Sequence, residues 1–393
     1  MVSGTENEAT RPGGEEDGRR VLLITGGYYP APGGAANYSR TLAHLLTEDG
    51  VAGAVEVFTE RYPGEGRRKR EGPGSRVLVR RAMPWRATRE GKGFGSGFLY
   101  AFQLLQMATV ILRESRRFDA ILLHGSLVYR AGFLARIIAL ARRLSPGRRP
   151  AFILDIRDPL MPARMASLAN RFDAVVACAR NVACDLAGKG VPRGRVREIP
   201  IPLAPHPRRR REQGASCASF GLTEGSFAFV AHGFTPGKRT EEVVDAVASL
   251  REAGMDLTLA VAGKARFWPD NAERARREGW LHFLGSLPNP EVRDLMAECR
   301  IHVNVCAEEG LPRGSLEAIA AGALTVLPPG VPEFEAYCPA WIGTAGHPRR
   351  LAGEICAVLE RGEVAPYPVE KHNPAAVARE YAALFAHATR KRP

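Results

Sequence analysis

Val21-Leu-Leu-Ile-Thr25 runs directly into Gly26-Gly-Tyr-Tyr-Pro-Ala-Pro-Gly-Gly34. The first stretch reads as a short, apolar strand. The glycine and proline run breaks it, and helical spacing follows from about Ala36 to Thr47. A strand, a glycine loop and a helix, in that order, open a parallel sheet covered by helices.

Working outward, the unit recurs. Strands are expected at Val55–Thr59, Arg76–Arg81, Asp119–His124, Phe152–Asp155 and Ala174–Ala177, with a helix from about Tyr129 to Leu144. These make one α/β domain over 21–200, preceded by a polar tail over 1–20. That tail has no apolar stretch and does not read as a secretory signal, so the cytoplasm is the expected location. A stretch rich in proline and arginine, 201–216, reads as a linker. The alternation then restarts over 217–370, with strands at Phe227–Ala231, Leu257–Val261, Leu281–Leu284, Ile301–Val305 and Leu324–Val326. Helices are expected at Thr240–Glu252, Pro290–Glu298 and Gly314–Ala321, and the last segment, 371–393, as a helix packing back on the first domain. At 393 residues the chain exceeds what one core usually holds. The fold class is therefore α/β, two Rossmann-like domains facing a central cleft, with ligands expected at loops that follow strands.

The formal charge of +13 suits nucleic acid, an anionic membrane or phosphorylated ligands. Placement separates these. Much of the excess lies in Arg67-Arg-Lys-Arg70 with neighbours up to Lys92, and in Arg208 to Arg211. Neither patch is interleaved with aromatics, so solvated loops are expected first, then peripheral contact with an anionic membrane, and no nucleic acid. Gly97 to Leu112 is interrupted by Gln103 and Gln106, too short to span a bilayer, and reads as a buried or amphipathic helix. The seven cysteines contain no C-x-x-C pair, which argues against disulfides or zinc. No cofactor or metal is expected, although Asp155-x-x-Asp158 keeps a metal-dependent donor site in view.

Three loops offer chemistry. Glycines at 26–34 let backbone amides approach an anion before a helix N-terminus, without the G-x-G-x-x-G spacing of dinucleotide binders. In Gly233-Phe-Thr-Pro-Gly-Lys-Arg239, Lys238 and Arg239 stand where a strand meets a helix and could clamp a diphosphate. In Glu309-Gly-Leu-Pro-Arg-Gly-Ser-Leu-Glu317, two carboxylates flank a Gly310-Leu311-Pro312 turn. Carboxylates accept hydrogen bonds from paired sugar hydroxyls, and Gly310 would leave its amide open to a ligand. Glu317, read as first-turn, would also complement the helix macrodipole.

Glu309-x7-Glu317, continued as Leu316-Glu-Ala-Ile-Ala-Ala-Gly322 and Pro329-Gly-Val-Pro-Glu333, resembles the E-x7-E signature of retaining GT-B glycosyltransferases of family four. Tyr29-Pro-Ala-Pro-Gly-Gly34, Asp119-Ala-Ile-Leu-Leu-His-Gly125 and Asp173-Ala-Val-Val-Ala-Cys-Ala179 are similar to further segments of that family, in the same order. The resemblance implies Glu317 on the donor ribose. It puts Glu309 and the amides of Gly310 and Leu311 on the sugar, and Gly33 and Gly34 on the diphosphate. Lys238 or Arg239 would hold the diphosphate too, and His124, Arg157 and Asp158 would face the acceptor. Glu309, Lys238, Arg239 and Asp158 are the implied catalytic set. Phe234 stands where the family usually has arginine, Arg157 where its acceptor-side histidine belongs, and Cys306-Ala-Glu308 replaces its Pro-Ser. The implied reaction is metal-independent transfer of a sugar, with a UDP-sugar as the favoured donor, to a hydroxyl of a glycan, a lipid-linked molecule or a small natural product, with retention. A GT-B sugar-nucleotide epimerase and a noncatalytic sugar-nucleotide or membrane-binding protein stand as alternatives.

Overall fold

The computed structural model describes residues 18–31, 33–84, 95–124, 131–144, 149–157, 169–203, 216–306 and 309–390. The polar tail up to residue 17, the arginines 208–211, and the stretch 85–94 that carries Arg86, Arg89 and Lys92 lie outside them.

The first sheet has eight strands: β1 (Arg20–Thr25), β2 (Ala54–Glu60), β3 (Arg68–Arg70), β4 (Val77–Met83), β5 (Ala120–His124), β6 (Ala151–Ile156), β7 (Ala174–Ala177) and β8 (Val196–Glu198). Their order across the sheet is β3-β4-β2-β1-β5-β6-β7-β8. All are parallel except β3, which runs antiparallel to β4. Helices α1 (Gly34–Glu48), α2 (Gly95–Glu114), α3 (Ala131–Leu144) and α4 (Arg180–Gly188) connect them. Val21 through Ile24 have no exposed surface, as expected of a central strand covered on both faces. Gln103, which interrupts the apolar run of α2, is buried, and its amide donates to Glu60 Oε1 at 2.9 Å and the Pro84 carbonyl at 2.7 Å. A polar residue can stand there because its donors are satisfied.

Register sets the cleft edge. Thr25 pairs with His124 across β1 and β5, and His124 pairs with Asp155 across β5 and β6. Parallel pairing therefore delivers three polar side chains, side by side, to the C-terminal ends of central strands.

The second sheet is β9 (Phe227–Val230), β10 (Thr258–Ala262), β11 (Leu281–Gly285), β12 (Ile301–Val303) and β13 (Thr325–Val326), in the order β11-β10-β9-β12-β13. Its helices are α5 (Thr240–Glu252), α6 (Asp270–Arg277), α7 (Asn289–Glu298), α8 (Arg313–Ala320), α9 (Pro332–Tyr337) and α10 (Pro348–Arg361). The final helix, α11 (Pro374–Arg390), lies against α1, where Tyr381 and Tyr38 share a hydroxyl hydrogen bond of 2.8 Å. Just before it, His372 Nδ1 donates to the Ile201 carbonyl at 2.8 Å, and Leu203 N donates to the His372 carbonyl at 2.9 Å. The returning chain is thus tied to the end of the first domain.

Two readings need correction. Arg68–Arg70 is an edge strand rather than a loop; its exposed cations suit an edge because they discourage further strand pairing. Glu317 is the fifth residue of α8, one residue deeper than expected and just past the first turn, because the helix begins at Arg313 with Pro312 as its cap. The macrodipole account of Glu317 weakens accordingly, since that effect fades beyond the first turn. Among the described residues, no helix is long and apolar enough to cross a membrane.

Candidate active site

A cavity of about 430 Å³ opens between the sheets. Gly33, Gly34 and Asn37 wall it from the first domain, while Lys238, Glu309, Pro312 and Glu317 are among its walls from the second. Gly33 caps α1 at φ 123°, a conformation that favours glycine, and directs the helix N-terminus at the cavity.

Lys238 and Glu309 meet in an ion pair, both half-buried. The Glu309 backbone is fixed from the other domain: Asn181 Nδ2 donates to the Glu309 carbonyl at 3.1 Å and to the Gly310 carbonyl at 2.9 Å. Gly310 is needed for this approach. A Cβ there would collide with the Arg157 carbonyl oxygen and come within 3.1 Å of Val182 Cγ2. Gly310 and Leu311 are buried and stand between the cavity-lining Glu309 and Pro312 without lining the cavity themselves. Glycine here serves domain contact. Glu317, only 6 % exposed, receives Arg313 Nε at 2.9 Å and lies 3.4 Å from Asn289 Nδ2.

Lys238 and Arg239 separate clearly. Lys238 lines the cavity. Arg239, at φ 54°, caps α5 and turns its guanidinium to Glu242 Oε1, 3.0 Å away. Phe234 is fully buried against Trp268, Phe267 and Phe283, with ring centroids 4.9, 6.3 and 6.1 Å distant.

The acceptor-side residues tell another story. His124 is fully buried, and its Nδ1 lies 2.9 Å from Asp155 Oδ2. Arg157 grips the same carboxylate, Nε to Oδ1 at 2.9 Å and Nη2 to Oδ2 at 2.9 Å. It also reaches Tyr381 Oη at 3.2 Å and stacks 3.8 Å from the Tyr38 ring centroid. Neither His124 nor Arg157 belongs to the cavity wall. Asp158 lies outside the described residues. Asp155, considered only as half of a metal-type pair, is instead the hub of this network. Among the described residues, no three His, Cys, Asp or Glu side chains group as metal ligands would.

Sequence reading also passed over His232, His302, Lys264 and Arg266, all on the cavity wall. Loss of solvation pushes His302 down to about 4, and the same effect with Lys238 nearby pushes His232 down to about 3. Both are neutral at pH 7. His232 Nε2 and both ring nitrogens of His302 are buried and lack hydrogen-bond partners, so the cavity floor has unused polar atoms. The available signal was position: each lies in or just after a strand, where open sheets collect ligands.

Residues 33–202 match the glycosyl transferase 4-like domain, and residues 225–384 match glycosyl transferases group 1. The chain belongs to the group 1 glycosyltransferases. No curated protein matches the sequence of this glycosyltransferase. Its fold is shared with HepE from Anabaena, solved with UDP and glucose, at 16 % identity and TM-score 0.64, over 95 % of this chain and 98 % of that one. It is similar to a UDP-forming trehalose-phosphate synthase from Burkholderia xenovorans, at 11 % identity and TM-score 0.71, over 94 % and 100 %. The sucrose-phosphate synthase of Thermosynechococcus elongatus aligns at 16 % identity and TM-score 0.64, over 95 % and 97 %. These likenesses establish the two-domain GT-B architecture.

Proposed function

We propose that this glycosyltransferase moves a sugar from a nucleoside diphosphate donor, a UDP-sugar in the first instance, to an acceptor hydroxyl with retention and without a metal. The observation that carries the reading is the cavity itself, which joins a glycine-capped helix N-terminus from one domain to Lys238, Glu309 and Glu317 from the other. HepE, solved with UDP and with UDP-glucose, supports the nucleotide choice.

In this reading, the diphosphate lies against Gly33, Gly34 and Lys238, and the ribose hydroxyls donate to Glu317. Lys238 leaves Glu309 as the diphosphate arrives, which frees the carboxylate for the sugar hydroxyls. The acceptor oxygen bonds to the anomeric carbon as the bond to the diphosphate breaks on the same face, and the acceptor proton passes to the departing phosphate. The protein contributes position and charge stabilisation.

The acceptor enters from the first domain. There α2 and α3 lie together and expose Phe102, Leu105, Phe133 and Leu144 beside Arg113 and Arg136. Apolar side chains among arginines suit a lipid-linked acceptor at an anionic surface. Flotation with anionic vesicles, but not with neutral ones, is the expected result.

Incubation with a panel of sugar nucleotides and acceptors, in the presence of a chelator, tests the reaction. An α-linked product from an α-linked donor is expected. An inverted product, loss of turnover with chelator, or epimerised donor without acceptor would each contradict it.

A further inference from the structure

Four cations line the cavity: Lys238, Lys264, Arg266 and Arg313. Two of them are already neutralised, Lys238 by Glu309 and Arg313 by Glu317. Lys264 and Arg266 are exposed and make no ion pair with any described residue. With carboxylates Glu309 and Glu317 subtracted from the four cations, the wall carries a net charge of +2, and this excess resides on Lys264 and Arg266. An anionic ligand gains most from cations that need not first give up a carboxylate partner.

The backbone explains why these two side chains stand beside the 233–239 loop. Gly233, at φ 62°, and Gly263, at φ 130°, press their backbones together, and a Cβ on Gly263 would lie 2.5 Å from Gly233 N. Arg266 N donates to the Phe234 carbonyl at 2.7 Å, and Phe234 and Ala265 form a β-bridge. The Phe234 side chain is spent in the aromatic cluster, and Arg239 is held by Glu242. The loop therefore brings one cation, Lys238, to the cavity, and the adjoining turn brings two.

We infer that Lys264 and Arg266 form the principal anion-binding pair of this cavity and take the diphosphate of the nucleotide donor. The inference rests on the donor-site reading above and assigns that site's charge to the turn after β10. Both side chains approach the ligand from solvent, so their contribution is sensitive to ionic strength as well as to phosphate count.

Calorimetric titration of UDP and uridine into the wild-type protein and the Lys264→Gln/Arg266→Gln double variant decides the matter. The expected result is a loss of about ten-fold or more in UDP affinity, with uridine affinity unchanged and a flatter salt dependence for UDP. Lys264→Arg with Arg266→Lys should restore most of the UDP affinity. Equal UDP binding by wild type and double variant would overturn the assignment and leave the donor site standing. So would an equal loss for UDP and uridine, which would mark a role unrelated to phosphate. A wild-type protein that binds no nucleoside diphosphate would instead fail the donor-site reading itself.

Discussion

At the cleft edge of the first sheet, charged side chains are paired with one another, while His124 Nε2 and Arg157 Nη1 stay buried without a hydrogen bond to any described residue. Asp155 holds His124 and Arg157, Arg157 reaches Tyr381, and Tyr381 meets Tyr38. At the edge of the second sheet, His232, His302, Lys264 and Arg266 face a cavity with unpaired nitrogens or uncompensated charge. Both edges follow from the same strand-loop-helix unit. The first pairs its charges away from the cavity wall, and the second leaves two cations, Lys264 and Arg266, unpaired among the described residues on that wall. Substitutions on the first should appear chiefly as lost stability, and those on the second as lost affinity or turnover.

Asp155→Asn strikes the first edge hardest. It leaves a buried guanidinium and a buried imidazole without their shared partner, so unfolding should show a loss of about 3–5 kcal/mol. Nucleotide affinity of the folded fraction should not change; a drop there would move Asp155 to the ligand side. On the other wall, Glu309→Gln should lower kcat about 100-fold, roughly 2.7 kcal/mol, while its melting temperature stays near that of the wild type. Full turnover would remove Glu309 from the reaction.

Gly310→Ala probes where the walls meet. Its methyl group must displace the Arg157 carbonyl, at about 1–3 kcal/mol, and should appear as a more open particle in small-angle scattering with reduced turnover. The smallest contrast lies within one loop. Lys238→Ala should raise the donor KM about ten-fold, whereas Arg239→Ala removes a partly exposed pair with Glu242 and should cost no more than about 1 kcal/mol of stability. Equal effects on donor KM would mean that Arg239 leaves Glu242 for the ligand.

Much of this was legible in the sequence. Buried parallel strands such as Val21–Thr25 and Phe227–Val230 are continuous apolar runs, and Glu309 and Glu317 flank a turn of conspicuous residues. What escaped notice depends on contact between distant segments. Asp155 acquires its role from register with His124, 31 residues away, and from Arg157 folding back on it. The packing of Gly310 against the Arg157 carbonyl was hidden too, because a missing Cβ serves a ligand or a packed backbone equally well. Lys264 and Arg266 are ordinary loop cations until Gly233 and Gly263 bring their turn against the 233–239 loop. The division between Lys238 and Arg239 was likewise hidden, since one backbone step through φ 54° points adjacent side chains in different directions.

The central claim is that the second-domain wall holds a nucleoside diphosphate with Glu317 at the ribose. Calorimetric titration of UDP into the wild-type protein and into Glu317→Gln tests this most directly. The account predicts saturable, single-site binding to the wild type and affinity about ten-fold or more weaker in the variant. Identical binding by the two proteins would contradict it.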